Sequence, residues 1–122
     1  MVTKKERRAA WCDALRSGRY QQGVGCLLSK YGKYYCCLGV AFEVYAEFNE
    51  VTRTPRPGRS PLFDGEATKL SKQAQDWFGL KQPDGHYVGG SLAADNDVHC
   101  HSFNEIADTI EREPEGLVTD ED

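Results

Sequence analysis

The sequence predicts a single small α+β domain: two short antiparallel hairpins packed with a central buried helix and flanking helices. Three observations support this class. The chain has 122 residues, enough for one hydrophobic core. Segments with helical periodicity alternate with short strand-like segments. Residues 38–48 are apolar on nearly all sides, as expected of a helix in the middle of a core.

The first predicted helix covers residues 3–17. Thr3 suits the N-cap position, and Trp11, Ala14 and Leu15 share one helical face. Four cations crowd its first turns, where the helix macrodipole disfavours positive charge. Either solvent screens these charges or a partner uses them, and we expect solvent.

An antiparallel hairpin is predicted over residues 20–37. Its strands are 20–28 and 33–37, joined by a turn that ends at Gly32. The buried helix 38–48 follows directly, so strand and helix meet at two adjacent cysteines.

The second half of the chain begins with a basic loop over residues 50–61, which holds three prolines and three arginines. A short helix over 70–78 follows, with Ser71 able to cap it. A second hairpin is predicted over 80–90, with its turn at 83–85.

The last predicted helix covers residues 102–113. Ser102 and Glu105 form a capping-box pattern, in which each side chain accepts a backbone N–H of the other residue. Apolar residues then recur at helical spacing: Phe103, Ile106, Ala107 and Ile110. Residues 114–122 are predicted to form an acidic tail.

Several short motifs occur in a fixed order along these elements. They are a first helix with Trp11, Tyr20-Gln21-Gln22-Gly23, Cys36-Cys37-Leu38-Gly39-Val40, Trp77-Phe78-Gly79-Leu80, Asn96-Asp97, and Ser102-Phe103-Asn104-Glu105-Ile106-Ala107-Asp108. The set resembles a group of small uncharacterised bacteriophage proteins with looser actinobacterial relatives. The relatives carry Leu-Asn-Asp before the last helix, where this chain reads Ala94-Asp95-Asn96-Asp97. The resemblance implies a phage origin and a shared fold, and it brings no catalytic residues.

The charge and composition of the chain narrow the classes of ligand and the cellular location that we expect. The net charge is −4, but residues 1–60 hold eleven Lys/Arg and five Asp/Glu, whereas residues 61–122 hold four and fourteen. An acidic chain is a poor binder of duplex DNA, although its basic half can hold a phosphate-bearing molecule. The sequence has no membrane-length apolar run and no signal peptide, so we expect the cytoplasm, that of the host cell for a phage protein. Five cysteines, an odd number, argue against a disulfide framework.

The adjacent cysteines raise a thiol-enzyme alternative. Cys37 at a helix N-terminus would have a lowered pKa, with His99 or His101 as base and Asn96, Asn104 or Asp97 as orienting group. Buried packing is the favoured interpretation of these cysteines, because cysteine is among the most buried residue types.

A zinc site is a second alternative. His99 and His101 point the same way in an extended segment, and Cys26, Cys36 or Cys37 could complete the ligand set. Surface hydrogen bonding is the favoured role for the histidines, so we expect neither metal nor cofactor.

The favoured site is a polar, basic and aromatic set that could bind a nucleotide. Aromatic rings stack on bases, cations pair with phosphates, and amides read base edges. The candidate ligand-binding residues are Arg19, Tyr20, Gln22, Lys33, Tyr35, Asn96, Asp97 and His101. The arginines of the 50–61 loop could also act as a lid or contact an acidic partner, but a solvated loop is the favoured interpretation.

These observations predict a phage-encoded, non-enzymatic binding protein that antagonises host defence by sequestering a nucleotide-type signalling molecule. The first alternative is a protein-binding inhibitor of a host enzyme or defence complex. The second, less favoured, is a thiol enzyme that uses Cys37. The partners considered are therefore a small nucleotide, a host protein and a second copy of the chain, with no duplex DNA and no membrane.

Overall fold

A computed structural model describes residues 3–119. This part of the chain contains five helices and three two-stranded sheets, which confirms the α+β class and the single small domain. The helices are α1 (Lys4–Arg16), α2 (Cys37–Ala46), α3 (Lys72–Phe78), α4 (Leu92–Asp97) and α5 (Phe103–Arg112). The strands are β1 (Gln21–Gln22), β2 (Tyr34–Tyr35), β3 (Arg53–Arg56), β4 (Arg59–Phe63), β5 (His86–Tyr87) and β6 (Gly90–Ser91).

Helix α2 is the centre of the core. It begins at Cys37 and ends at Ala46, and all its side chains except those of Glu43 and Ala46 are buried. It contacts α1, α3 and α4. Aromatic pairs extend the core: Phe42 packs edge-on against Phe63, and the rings of Trp11 and Phe78 pack at a tilt of 45°. The helix is apolar nearly all round because other elements cover nearly all of it.

Two of the four cations at the start of α1 bind the end of another helix, so the expectation that solvent screens these charges is wrong for Arg7 and Arg8, whereas Lys5 is exposed. Arg7 Nη1 donates to the carbonyl of Trp77 at 3.0 Å, and Arg8 Nη1 donates to that of Phe78 at 2.8 Å. Arg8, which is buried, also pairs with Glu113 at 2.9 Å. Because the last carbonyls of a helix lack intrahelical partners, these guanidinium groups satisfy the C-terminal end of α3.

The predicted antiparallel hairpin over 20–37 is wrong in its pairing, because β1 and β2 are parallel. The turn at 29–32 does form, and Leu28 makes a single antiparallel bridge with Tyr35. Between β1 and that bridge the chain leaves the sheet, and the N–H of Leu27 instead donates to the carbonyl of Ala67 at 2.8 Å. This excursion returns the chain so that β2 runs in the same direction as β1.

The predicted basic loop over 50–61 is instead an antiparallel hairpin of β3 and β4. Its turn is Pro57-Gly58, with Gly58 at a φ of 69°, and these residues suit the two central positions of a type II turn. The prolines are compatible with pairing because each strand of a two-stranded sheet has a free edge that needs no N–H donor.

The region 80–91 also differs from its prediction. The predicted turn at 83–85 does form, since the N–H of Gly85 donates to the carbonyl of Gln82 at 3.2 Å. It is not the turn of the hairpin, however, because strands β5 and β6 pair antiparallel around residues 88–89. Helix α4 follows at once and was not predicted. Beyond α5, Leu117 is buried and Val118 bridges Leu80, so the first part of the predicted acidic tail packs on the domain. Residues 120–122 of that tail lie outside the described residues.

Candidate functional site

The predicted ligand-binding residues fall into two groups. Gln22, Asn96, Asp97 and His101 come together where β1, α2, α4 and the start of α5 meet. Arg19, Tyr20 and Tyr35 lie in a separate cluster with Glu43 and Arg53. Lys33 belongs to neither group, and its Nζ lies 5.4 Å from the centre of the Tyr34 ring.

Asn96 is the centre of the first group, and its amide is fully used within the protein. Its Nδ2 donates to the Gly23 carbonyl and to Asp97 Oδ1, both at 2.8 Å. Its Oδ1 accepts from Gln22 Nε2 at 2.9 Å and from the backbone N–H of Cys37 at 3.2 Å. An amide offers two donors and two acceptor positions, so Asn96 has its full complement of hydrogen bonds.

Gln22 is similarly engaged. Its Nε2 also donates to the carbonyl of His101 at 2.7 Å, and its Oε1 accepts the N–H of Phe103 at 3.2 Å. We call Gln22 and Asn96 the amide latch, because together they join β1 to the N-termini of α2 and α5. A ligand-binding role for these residues stays a prediction.

His101 lies beside a buried carboxylate. Its Nδ1 is 3.9 Å from Oδ1 of Asp95, whose Oδ2 accepts the Tyr87 hydroxyl at 2.6 Å. Burial, together with the hydrogen bond to Asp95, raises the pKa of Tyr87 to about 12. The hydroxyl is therefore a donor at neutral pH.

The second group is an ion pair bordered by aromatic rings. Glu43 accepts from both Nη atoms of Arg53 and from the Tyr35 hydroxyl. Burial raises the pKa of Glu43, but the hydrogen bonds from Arg53 and Tyr35 outweigh burial and leave that pKa below its ordinary value. Tyr20 packs edge-on against Tyr35 with ring centres 5.1 Å apart, and Arg19 lies over the Tyr20 ring.

The expectation of a lowered pKa for Cys37 is wrong. The side chain is fully buried, and burial raises its pKa well above the ordinary thiol value despite its place at the start of α2. Its Sγ donates to the carbonyl of Leu92 at 3.6 Å. Burial likewise raises the pKa of Cys36 to about 12. Both cysteines pack in the core as protonated thiols, so a thiolate nucleophile at this junction is disfavoured.

The zinc alternative lacks a ligand set. The rings of His99 and His101 lie 6.0 Å apart, centre to centre. Among residues 3–119, no three His, Cys, Asp or Glu side chains are placed to hold a metal ion.

A basic groove adjoins the first group at Gly25, whose backbone N–H donates to Asp97 Oδ1 at 3.0 Å. It has a volume of about 590 Å³ and runs between the segment 25–30, the tip of the β3–β4 hairpin and residues 67–68. We define the basic groove by its three cations, Lys30, Arg56 and Arg59. Around them stand three hydroxyl groups and a glycine that suit an anion: Ser29, Ser60, Thr68 and Gly58.

The two arginines of the groove face each other across the hairpin turn. Arg56 is the direct cross-strand partner of Arg59, and like charges in that position destabilise a hairpin. Arg56 is held in place because its Nε donates to the carbonyl of Ser60 at 2.7 Å. No acidic side chain of the described residues lines the groove or forms an ion pair with its three cations. A bound anion would remove the repulsion.

Sequence reasoning noticed these arginines but interpreted them as part of a solvated loop. The type II turn signature of Arg56-Pro57-Gly58-Arg59 was the signal that could have paired them. Lys30 gave no such signal, since its approach to the hairpin depends on the tertiary fold.

The fold and these sites define a small α+β domain with a buried amide network and a basic groove whose cations have no ion-pair partner in the described part of the chain. The chain belongs to the family described as domain of unknown function DUF8296, which matches residues 3–114. No curated protein and no solved structure matches the chain. Among residues 3–119, no helix has the length and apolar character needed to cross a membrane.

Proposed function

We propose that this protein is a non-enzymatic binding protein for a nucleotide-type ligand, whose phosphates occupy the basic groove. The observation that carries the proposal is the like-charged pair Arg56 and Arg59, with Lys30 on the opposite wall and, among residues 3–119, no carboxylate lining the groove. Hydrogen bonds from guanidinium groups to phosphate are charge-assisted and frequently bidentate, so a phosphate would occupy both arginines at once.

The proposal moves the ligand away from most of the residues that sequence reasoning selected. The amide latch has its polar atoms engaged within the protein, and Tyr35 is bound to Glu43. The three groove cations form no ion pair within the described residues, so an anion bound in the groove would gain more electrostatic stabilisation than one bound at either of the other groups.

Calorimetry tests the proposal with cyclic dinucleotides, ADP-ribose and pyrophosphate as probes. We expect binding by the wild type and at least 100-fold weaker binding by Arg56→Ala/Arg59→Ala, because each lost charge-assisted hydrogen bond is worth about 1.5–3 kcal/mol. Lys81→Ala, which removes an exposed charge outside the groove, is the matched control and should bind as wild type. A panel that fails to bind, or a double variant that binds normally, would overturn the proposal.

The proposed biological role is antagonism of host defence by a phage-encoded protein that sequesters a nucleotide signal in the cytoplasm. Its support is the resemblance to small phage proteins, together with five free cysteines that suit a reducing compartment. Expression in bacteria with a nucleotide-signalling defence should restore phage growth, and the double arginine variant should not. A host protein captured stoichiometrically, with no nucleotide bound, would favour the inhibitor function instead.

A further inference from the structure

A solvent-exposed aromatic turn adjoins the basic groove. Tyr31 is 82% exposed and Tyr34 is 42% exposed. Each ring has the ammonium of the preceding lysine near its face, at 5.0 Å for Lys30 and 5.4 Å for Lys33. Because Lys30 also lines the groove, the turn and the groove form one continuous surface. We call residues 30–34 the aromatic turn.

The aromatic turn is held firmly although its rings face water. Ser29 Oγ accepts the backbone N–H groups of Lys33 and Tyr34 at 3.1 and 3.0 Å. The N–H of Gly32 donates to the Ser29 carbonyl, and that of Ser29 donates to the Tyr34 carbonyl. These four hydrogen bonds fix the turn, so Tyr31 is presented to solvent by a braced backbone. A backbone that is fixed before binding reduces the conformational entropy lost when a flat group stacks on the ring that it carries.

Proteins bind single-stranded nucleic acids with a basic groove that lies next to exposed aromatic rings. The aromatic turn and the basic groove have these features. The backbone phosphates follow the groove, and successive bases stack on the rings. We infer that the ligand of the basic groove is a single-stranded nucleic acid, with phosphates at Lys30, Arg56 and Arg59 and a base stacked on Tyr31. This inference rests on the proposed function, since it names the ligand class of the same groove.

A single strand fits this surface better than a duplex or a mononucleotide. A duplex presents its phosphates on a rigid cylinder and keeps its bases stacked inside, so it could not use Tyr31. A mononucleotide could use the groove or the ring but has few phosphates for the cations of two walls. A strand of several nucleotides engages groove and turn together.

Fluorescence anisotropy with a labelled thymidine dodecamer tests the inference on the full chain. The three cations of the groove predict a slope of log affinity against log salt of about −2 for a single strand. Raising the salt from 50 to 200 mM should then weaken binding about 20-fold. Thymidine monophosphate and pyrophosphate reach the groove cations but span less of the surface, so they should compete measurably but at least 10-fold more weakly than the unlabelled dodecamer. A matched duplex should compete poorly.

Variants separate stacking from charge. Tyr31→Ala should weaken dodecamer binding about 5- to 150-fold, the range found for removal of a stacked base, whereas Tyr31→Phe should bind nearly as wild type. Phe48→Ala removes another exposed ring, 53% exposed, that stacks on Trp77 outside the groove, and it should leave binding unchanged. Thermal unfolding of each variant checks that the fold persists.

The possible failures can be told apart. If the monophosphate or pyrophosphate binds as tightly as the dodecamer and Tyr31→Ala has no effect, the single-strand inference is wrong and the proposed function stands. If the duplex competes as well as the single strand, the inference is also wrong. If none of these probes binds, the single-strand inference fails, and the proposed function fails with it only if the cyclic dinucleotides and ADP-ribose do not bind either.

Discussion

Replacement of Asn96 by alanine should lower the free energy of unfolding, and the hydrogen bonds that the side chain makes give the size of the loss. The side chain is 1% exposed and makes four hydrogen bonds. Its loss leaves the N–H of Cys37, at the buried start of α2, without a side-chain acceptor, and an unsatisfied buried group costs about 1–3 kcal/mol. The carbonyl of Gly23 also loses its donor, whereas Gln22 keeps its bond to the His101 carbonyl. We therefore expect a loss of about 2–4 kcal/mol in the free energy of unfolding.

Urea denaturation followed by tryptophan fluorescence measures this loss. For an m value in the usual range, the midpoint should fall by about 1–2 M. Asn104→Ala is the matched control, because Asn104 is an exposed residue of α5 and its replacement should stay within about 0.5 kcal/mol of wild type. Hydrogen exchange should show the Cys37 amide opening faster in Asn96→Ala than in the control.

The outcome distinguishes two roles for Asn96. A loss below about 1 kcal/mol with an unchanged m value would refute the amide latch as a structural feature. If that variant also lost nucleotide binding, the ligand-binding role predicted from the sequence would be the better explanation.

Three further predictions concern the core, the thiols and acid stability. Gly39→Ala should cost more than about 3 kcal/mol in thermal unfolding, because a Cβ there would lie 1.9 Å from the carbonyl oxygen of Leu27; an unchanged melting temperature would contradict this packing. Exposed Cys100 should react with a thiol reagent at neutral pH, while Cys37 reacts only on unfolding; rapid labelling of Cys37 would revive the thiol enzyme. The folded-state pKa of Glu43 lies below its ordinary value of 4.5, so its contribution is complete above 4.5 and is lost as the pH falls through the lowered pKa. The difference in unfolding free energy between wild type and Glu43→Gln should therefore shrink from pH 6 to pH 3, and a constant difference would show that the ion pair contributes nothing.

Local signals in the sequence were sufficient to predict the helices whose capping and burial depend on residues close together in the chain. In α5, Ser102 accepts the Glu105 N–H at 3.1 Å and Glu105 accepts the Ser102 N–H at 2.9 Å, as the capping-box pattern indicates. The composition of α2 likewise identified a buried helix. Such predictions depend on residues within one or two turns of each other, which the sequence displays directly.

Contacts between residues far apart in the sequence could not be predicted from such local signals. The parallel register that places Gln22 beside Tyr35 depends on where the intervening chain is anchored, at the carbonyl of Ala67. Arg8 looked like an unfavourable charge because its partner, the end of α3, lies 70 residues away. In the candidate site, the same limit hid the approach of Lys30 to the hairpin. The residue types were visible in the sequence, but the geometry that makes them a site was not.

The Cys-Cys-Leu-Gly junction connects the core to the candidate site by packing and not by thiol chemistry. Gly39 allows α2 to lie directly against the backbone of Leu27, and the N–H of Cys36 donates to the Leu27 carbonyl at 3.3 Å. Leu27 is therefore clamped between the start of α2 and Ala67, which itself lines the groove. Lys30 is only three residues further along the chain. A disturbance at Gly39 should thus move one wall of the basic groove relative to the arginine hairpin, so that ligand binding would be lost before the protein unfolds completely.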